Sequence, residues 1–414
     1  MGLHVLKFGG TSVGSLKRIE LVASLLKERA KANQVVAVLS AMAGETDRLI
    51  ESASYFTKCP VERELDMLLC TGEQRSVALM SICLQSQEVK AKSLLGSQIR
   101  IHTDSDHTRA RIEKIDTEEI KKSLKEGWIV LVPGFQGMSP TGEITTLGRG
   151  GSDTSAVALA AALKADLCEI YTDVEGVYTT DPNIEPRAKK LNKITYDEML
   201  ELASLGAKVL QTRSVEFAKK YNVPIHVRSS FKNTPGTWVV EEVDPMESLV
   251  VSGITYTKNE AKLVVEAMPD RVGVAADLFG ILGEAGIVVD VIIQNVSREG
   301  TTDISFTVPR DDLSKAIEVI ESSKSILHQK SVKGDPHISK VSVIGNGMRS
   351  HSGVAAKMFK TLSDAGVAIQ MISTSEIKIS CVIDEKAVKE AVQSLHHAFG
   401  LDQVEAKEVD DFRS

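Results

Sequence analysis

A segment that occurs twice constrains this chain more than any other feature. Residues 273–292 read GVAADLFGILGEAGIVVDVI, and residues 353–372 read GVAAKMFKTLSDAGVAIQMI. Nine of the twenty positions are identical, in register through the opening glycine, the apolar helix pattern and the Ala-Gly that ends it. Each copy follows a strand-like run, KLVVEA at 262–267 or KVSVI at 340–344. Another strand (303–308; 377–383) and a helix (313–321; 386–399) come after. The order β-α-β-β-α, with a closing strand left open, predicts two ferredoxin-like α+β units at 260–325 and 338–402. Their sheet edges need cover, which predicts pairing between copies or with another subunit.

Residues 1–247 follow a different pattern. Strand patterns at 3–8, 35–39, 129–132 and 169–172 alternate with helix patterns at 16–30 and 156–163. Alternation of this kind predicts a layered α/β domain with a mainly parallel sheet. Such sheets bind ligands beyond the carboxyl ends of their strands. A turn (231–236, FKNTPG), a strand (237–240) and a polar stretch with a proline (241–247, EEVDPME) mark the boundary.

Composition narrows the ligand class. The net charge is −7 and aromatics are only 4%, so there is neither a general basic surface nor a stacking platform for nucleic acid. The five cysteines, at 59, 70, 83, 168 and 381, have no CxxC spacing, and they read as small hydrophobes in a reducing cytosol. No apolar leader follows Met1, and no apolar run has the length of a membrane span. The expectation is a cytoplasmic protein without nucleic-acid or membrane partners. An anionic ligand must then be held by local lysines, arginines and backbone N–H groups.

Four constellations can do that. Lys7-Phe8-Gly9-Gly10-Thr11-Ser12 ends a strand in two glycines before a helix, where backbone N–H groups attract phosphate. Taken alone it is equally a tight turn, and no Walker A pattern occurs in the chain. Residues 148–154 (GRGGSDT) combine a glycine nest with an arginine, a hydroxyl and a carboxylate. Ser152 or Asp153 could cap the following helix, but a cap does not explain an arginine between glycines. Residues 171–182 (YTDVEGVYTTDP) offer carboxylates, hydroxyls and an aromatic ring after a strand. Residues 206–210 (GAKVL) bring a second lysine, Lys208.

Together these segments resemble a known family. KFGGTSV, Ser40-Ala41-Met42 with Thr46-Asp47, Thr71-Gly72-Glu73, LGRGGSDT, YTDVEGVYTTDP and GAKVL occur in the order seen in aspartate kinases of the amino acid kinase superfamily. The repeat is similar to that family's paired ACT domains, with QNVS at 294–297, TTDISFT at 301–307 and MISTSEIKIS at 371–380. The resemblance covers nearly the whole chain. Its length suits the monofunctional enzyme, with no room for a fused homoserine dehydrogenase.

The resemblance implies phosphorylation of the L-aspartate β-carboxylate by ATP, the first step of the lysine, threonine and methionine branch. Lys7 and Lys208 would hold the phosphates, aided by Gly9 and Gly10, and Asp153 would hold the lysine ammonium groups. Thr172, Asp173, Tyr178 and Asp181 would face the nucleoside. Mg²⁺ would be held mainly by ATP oxygens and water, with no protein metal site. Arg149 would clamp the α-carboxylate and Glu73 the ammonium, with Ser40, Thr46, Gly150 and Ser152 completing the aspartate pocket. No general base is needed, because the attacking carboxylate is already ionised at neutral pH. One departure stands out: Asn183 occupies a position where the family often has arginine, so Arg187 or Lys208 would take over that phosphate contact.

Regulation would follow from the repeat. The implied regulators are lysine and/or threonine, bound near Asp270, Val274, Ala275, Gln294 and Asn295 in the first unit. The second unit offers Gly353, Val354, Ala355, Thr374, Ser375 and Glu376. A homo-oligomer through the ACT units is expected, and Met246 could start a short ACT-only subunit. A sibling kinase acting on glutamate, acetylglutamate or a nucleotide would share the loops, but TGE, the arginine of GRGGSDT and the ACT pair favour aspartate. A sensor that had lost catalysis would lack Lys7, Glu73, Arg149 or Asp153, and all four are present.

Overall fold

The computed structural model describes residues 1–205, 209–243, 250–296, 300–349 and 351–403. Lys208 and Met246 lie outside them. Two compact units emerge: Met1–Val177 with Lys190–Met246, and Tyr178–Lys189 with Glu247–Glu405.

The first unit is built on an eight-stranded sheet. Its order is Lys193–Thr195, Thr237–Val240, Ile225–Ser229, Leu167–Thr172, Leu3–Phe8, Gln34–Leu39, Ile129–Pro133 and Ala91–Ser93. Every pairing is parallel except that between Ile225–Ser229 and Thr237–Val240. The central strands are continuous apolar runs because both faces are covered, as parallel sheets require. The Ala-rich helix Gly151–Leu163 buries nearly all its residues and packs over the central strands. Parallel register matters for function. Phe8 pairs with Leu39 and Tyr171, and Leu39 with Pro133, so the loops starting at Gly9, Ser40, Gly134 and Asp173 leave one edge of the sheet. A separate four-stranded sheet of Ile112–Ile115, Ile101–Thr103, Gln136–Met138 and Ile144–Thr146 leads into the loop that carries Arg149.

The second unit contains a six-stranded antiparallel sheet. Its order is Ile292–Val296, Thr301–Pro309, Gly253–Pro269, Ser331–Ile344, Lys378–Asp384 and Met371–Thr374. The repeat is visible in the backbone. Gly273 and Gly353 precede their helices at φ +94° and +96°, and Gly286 and Gly366 follow them at +71° and +69°. Only glycine takes these left-handed angles freely, which accounts for its recurrence at all four places.

The closing strands come from outside each repeat. Within the two long central strands, Lys262–Glu266 pairs with Ser331–Asp335 beside the first repeat. Gly253–Thr257 pairs with Lys340–Ile344 beside the second. Val251 and Ile254, which precede the first repeat in sequence, therefore sit in the second core with Val341, Val343, Met358 and Leu395. The first core gathers Leu263, Val265, Leu278, Leu282, Phe306 and Ile320.

Candidate active site

Strand Leu3–Phe8 points Lys7 into the protein, where it is 9% exposed, and its ammonium lies 2.6 Å from Asp153 Oδ1. Asp153 is 7% exposed, in the first turn of the helix Gly151–Leu163. A buried pair of this kind is retained only when both charges are fixed by good geometry. The Lys7 ammonium also lies beside Gly9, 3.5 Å from where a Cβ would stand there. The Gly9 N–H is already given to the Tyr171 carbonyl at 3.2 Å. The Gly10 N–H donates no hydrogen bond among the described residues. Gly10 has to be glycine, because a Cβ would meet the Ala41 carbonyl at 2.9 Å. That approach brings the loop of Ser40 against the loop of Gly9, joined by the Ala43 N–H donating to the Gly10 carbonyl at 3.2 Å.

Glu73 closes the same corner. It stands in the first turn of helix Thr71–Gln85 and is 4% exposed. Its Oε1 accepts from the Ala41 N–H at 3.0 Å, while Oε2 is buried without a partner among the described residues. Gly72 permits this, since a Cβ there would meet the Ala41 Cβ at 2.8 Å. Burial pushes the Glu73 carboxyl up to about 7, against the opposing pull of the Ala41 N–H. A buried acceptor with one idle oxygen is chemically suited to a cation that arrives with a ligand.

The GRGG segment sits at the start of the helix. Neither Ser152 nor Asp153 caps it. The cap position is Gly150, at φ +73° and without a side-chain bond, because the helix already includes Gly151. Gly150 is packed under the Gln211 side chain so closely that any Cβ would overlap it. Ser152 is buried against Gly134, whose missing Cβ makes room for it. Arg149 is exposed and makes no ion pair among the described residues, so its guanidinium is available to an incoming anion. Ser40 and Thr46 are partly buried, with Thr46 in the first turn of helix Glu45–Ser54.

On the other side of strand Leu3–Phe8, Thr172 Oγ1 donates to Asp173 Oδ1 at 3.0 Å. The Thr172 carbonyl accepts from the Ser230 N–H at 2.9 Å, and Ser12 Oγ donates to Ser230 Oγ at 2.8 Å. Arg18 donates to the Ser230 carbonyl at 2.6 Å and lies over the Phe231 ring. Ser12 of the first glycine segment, together with Arg18, Ser230, Gly134 and Gln211, thus shapes this edge, and no motif in the sequence marks the last four.

Tyr178 and Asp181 belong to the second unit. There Asp181 Oδ2 accepts from the Tyr256 hydroxyl at 3.0 Å. Burial, with Asp181 adding to it, pushes that hydroxyl up to about 12. Asn183 donates to Asp181 Oδ1 from its backbone at 2.9 Å and its side chain at 3.0 Å. The unusual residue therefore fixes the turn. Arg187, the candidate to replace an arginine there, is paired with Glu185 at 3.0 Å and Asp402 at 3.4 Å.

Of the regulatory candidates, Val274 and Val354 are core residues, and Ala275 and Ala355 are partly buried. Asp270, Gln294, Asn295, Gly353, Thr374, Ser375 and Glu376 are exposed. Gln294 and Asn295 lie on one edge strand of the six-stranded sheet and Thr374 on the other. Cys70, Cys168 and Cys381 are buried free thiols. Among the described residues no group of three or more His, Cys, Asp or Glu could hold a metal ion, and no helix is long and apolar enough to cross a membrane.

A buried lysine–carboxylate pair and a glycine loop lie at the carboxyl ends of the central parallel strands, with an exposed arginine just before the helix Gly151–Leu163. Residues 2–229 match the amino acid kinase family, and residues 262–323 and 341–399 match the ACT domain. An aspartate kinase of Pseudomonas putida is 54% identical over 404 residues, covering 97% of this chain and 98% of that protein. An aspartokinase of Geobacillus stearothermophilus is 50% identical over 402 residues, covering 97% and 98%. Among solved structures, E. coli aspartokinase III in complex with aspartate and ADP has a TM-score of 0.80 at 25% identity, over 96% of this chain and 99% of that one. The same enzyme in complex with lysine and aspartate has a TM-score of 0.75. The chain belongs to the aspartate kinases of the amino acid kinase family.

Proposed function

We propose that an oxygen of the L-aspartate β-carboxylate attacks the γ-phosphorus of ATP. The bond to the β,γ-bridging oxygen breaks, and ADP and 4-phospho-L-aspartate leave. The single observation that carries this reading is the buried Lys7–Asp153 pair beside the glycine loop, with the idle Glu73 oxygen at the adjoining loop. Transfer of this kind asks mainly for positioning and charge neutralisation. Lys7 supplies positive charge to the phosphates and Asp153 holds its ammonium in place. Gly9 and Gly10 line the phosphate loop, and the Gly10 N–H is the donor left open in this conformation. Thr172 and Asp173 take the nucleoside side, and Lys208 takes a second phosphate contact. Magnesium comes as part of the MgATP substrate, carried on phosphate oxygens and water.

Aspartate is read at three points. Arg149 pairs with the α-carboxylate and Glu73 with the ammonium, while Ser40, Thr46, Gly150 and Ser152 line the pocket. Arg149→Ala is expected to raise the aspartate KM about 100-fold and leave the ATP KM within about twofold, because a bidentate pair at an otherwise intact site is lost. Steady-state ADP release with each substrate varied in turn reads this, and equal shifts in both KM values would remove the assignment. The same assay, run with glutamate, acetylglutamate or a nucleoside monophosphate as acceptor, tests the choice of aspartate.

We place the reaction at the head of the lysine, threonine and methionine branch, in the cytoplasm. Lysine and/or threonine would act as feedback regulators at the ACT units, with homo-oligomer contacts through the exposed sheet edges. A separate subunit started at Met246 would carry the same units. ADP release with lysine and threonine, singly and together, is expected to fall. No change in rate or in either KM would overturn the regulatory reading.

A further inference from the structure

Asp66 is fully buried, and no lysine or arginine pairs with it among the described residues. Its oxygens instead organise a loop. Oδ2 accepts from His107 Nδ1 at 2.8 Å, both oxygens accept from the Thr108 N–H at 3.0 and 3.1 Å, and Oδ1 accepts from the Thr146 hydroxyl. Thr108 is held at φ +66°, a left-handed angle that a β-branched residue adopts only under constraint. Its carbonyl in turn lies against Gly148, 3.0 Å from where a Cβ would stand, one residue before Arg149. Arg213 ties the two loops of this corner, donating to the Leu147 carbonyl at 2.6 Å and the Ala110 carbonyl at 2.9 Å.

The position of Asp66 in its helix matters as much. Helix Glu62–Leu69 runs into helix Thr71–Gln85 through Cys70, which keeps helical dihedrals. The Cys70 N–H donates to the Asp66 carbonyl at 3.1 Å, and the Gln74 N–H donates to the Cys70 carbonyl at 3.2 Å. Asp66 and Glu73 therefore stand on consecutive helices joined directly at Cys70. Gln136 braces the junction, donating to the Cys70 carbonyl at 3.4 Å.

We propose that Asp66 is a positioning residue for aspartate recognition: it fixes the Arg149 loop to the helix that leads into the one carrying Glu73, and so sets the spacing between the carboxylate clamp and the ammonium acceptor. Arg213 is the second tie. The inference rests on the assignment of Arg149 and Glu73 to the substrate's two charges. A ligand with fixed spacing between carboxylate and ammonium is sensitive to displacements of about 1 Å between the groups that hold it.

The test is a mutant cycle read by steady-state kinetics on the full chain. Asp66→Ala is expected to raise the aspartate KM about 10- to 100-fold while the ATP KM stays within about twofold. Asp66→Asn, which keeps an acceptor for the Thr108 N–H, is expected to recover part of that loss. In an Arg149→Ala background Asp66→Ala is expected to change the aspartate KM less than about twofold, because the clamp it positions is gone. Arg213→Lys, which reaches one of the two carbonyls, is expected to show the same coupling, and it carries the test if Asp66→Ala does not fold. Effects that multiply independently in the double variant overturn the role of Asp66 alone. An unchanged aspartate KM in Arg149→Ala overturns the clamp itself and this proposal with it.

Discussion

Lys7→Ala is expected to lower kcat by about three orders of magnitude and to destabilise the first unit by about 3–5 kcal/mol, and the two losses are separable. The kinetic loss comes from removing positive charge where charge develops during phosphoryl transfer. The stability loss has another source. Asp153, 7% exposed in the parent, would lose its one cationic partner among the described residues, and an unpaired buried carboxylate is costly. The double variant Lys7→Met with Asp153→Asn replaces both charges by neutral groups of similar size. It is expected to regain most of the stability and none of the turnover. Urea midpoints and ADP release measured on the same preparations separate the two. A kcat within about tenfold of the parent in Lys7→Ala would remove Lys7 from the chemistry.

Glu73 yields the second large effect, through pH. Its carboxyl is raised from 4.5 to about 7 because burial disfavours the ionised form. In the proposed pocket the ammonium of aspartate would need that carboxylate ionised. The apparent aspartate affinity of the free enzyme should therefore rise about tenfold per pH unit below 7 and level off above it. Glu73→Gln should flatten this profile and raise the aspartate KM about 100-fold at pH 8. Stability moves the other way. An acid whose folded-state pKa is raised contributes stability that is complete below about 4.5 and lost as pH rises through about 7. That loss has an upper bound of about 3 kcal/mol from the size of the shift. Without bound aspartate, Glu73→Gln should be more stable than the parent at pH 8, because it removes an ionised group whose Oε2 has no partner among the described residues. A pH-independent aspartate KM in the parent, or a Glu73→Gln variant less stable at pH 8, would contradict this account.

The parts of the site legible in the sequence are those written in consecutive residues. Gly9-Gly10 after a strand, Gly148 and Gly150 around Arg149, and the repeated glycines at 273 and 353 are demands of the backbone, visible without knowing the partners. Lys7 and Asp153 stand in such strings, and the fold brings their side chains to 2.6 Å. Glu73 could be named from its tripeptide, but not its burial or its idle oxygen. Asp66 gave no signal, because one acidic residue in an amphipathic helix reads as a solvated position. Only the packing of the Thr146 strand end and the Thr108 turn against that helix reveals where it points.

Local pattern by itself determined the alternation that makes a parallel sheet, the charges at its strand ends and the duplication behind the ACT pair. Three matters were decided only in three dimensions. The second repeat is closed by Gly253–Thr257, which precedes the first repeat. Tyr178–Lys189, inside the kinase stretch of the sequence, groups with the second unit. Glu73 is desolvated until its carboxyl rises to about 7. Periodicity and glycine placement act within a few residues, so the chain displays them directly. Strand partners, unit membership and desolvation depend on which distant segments come together to bury apolar surface, and no local pattern encodes that choice.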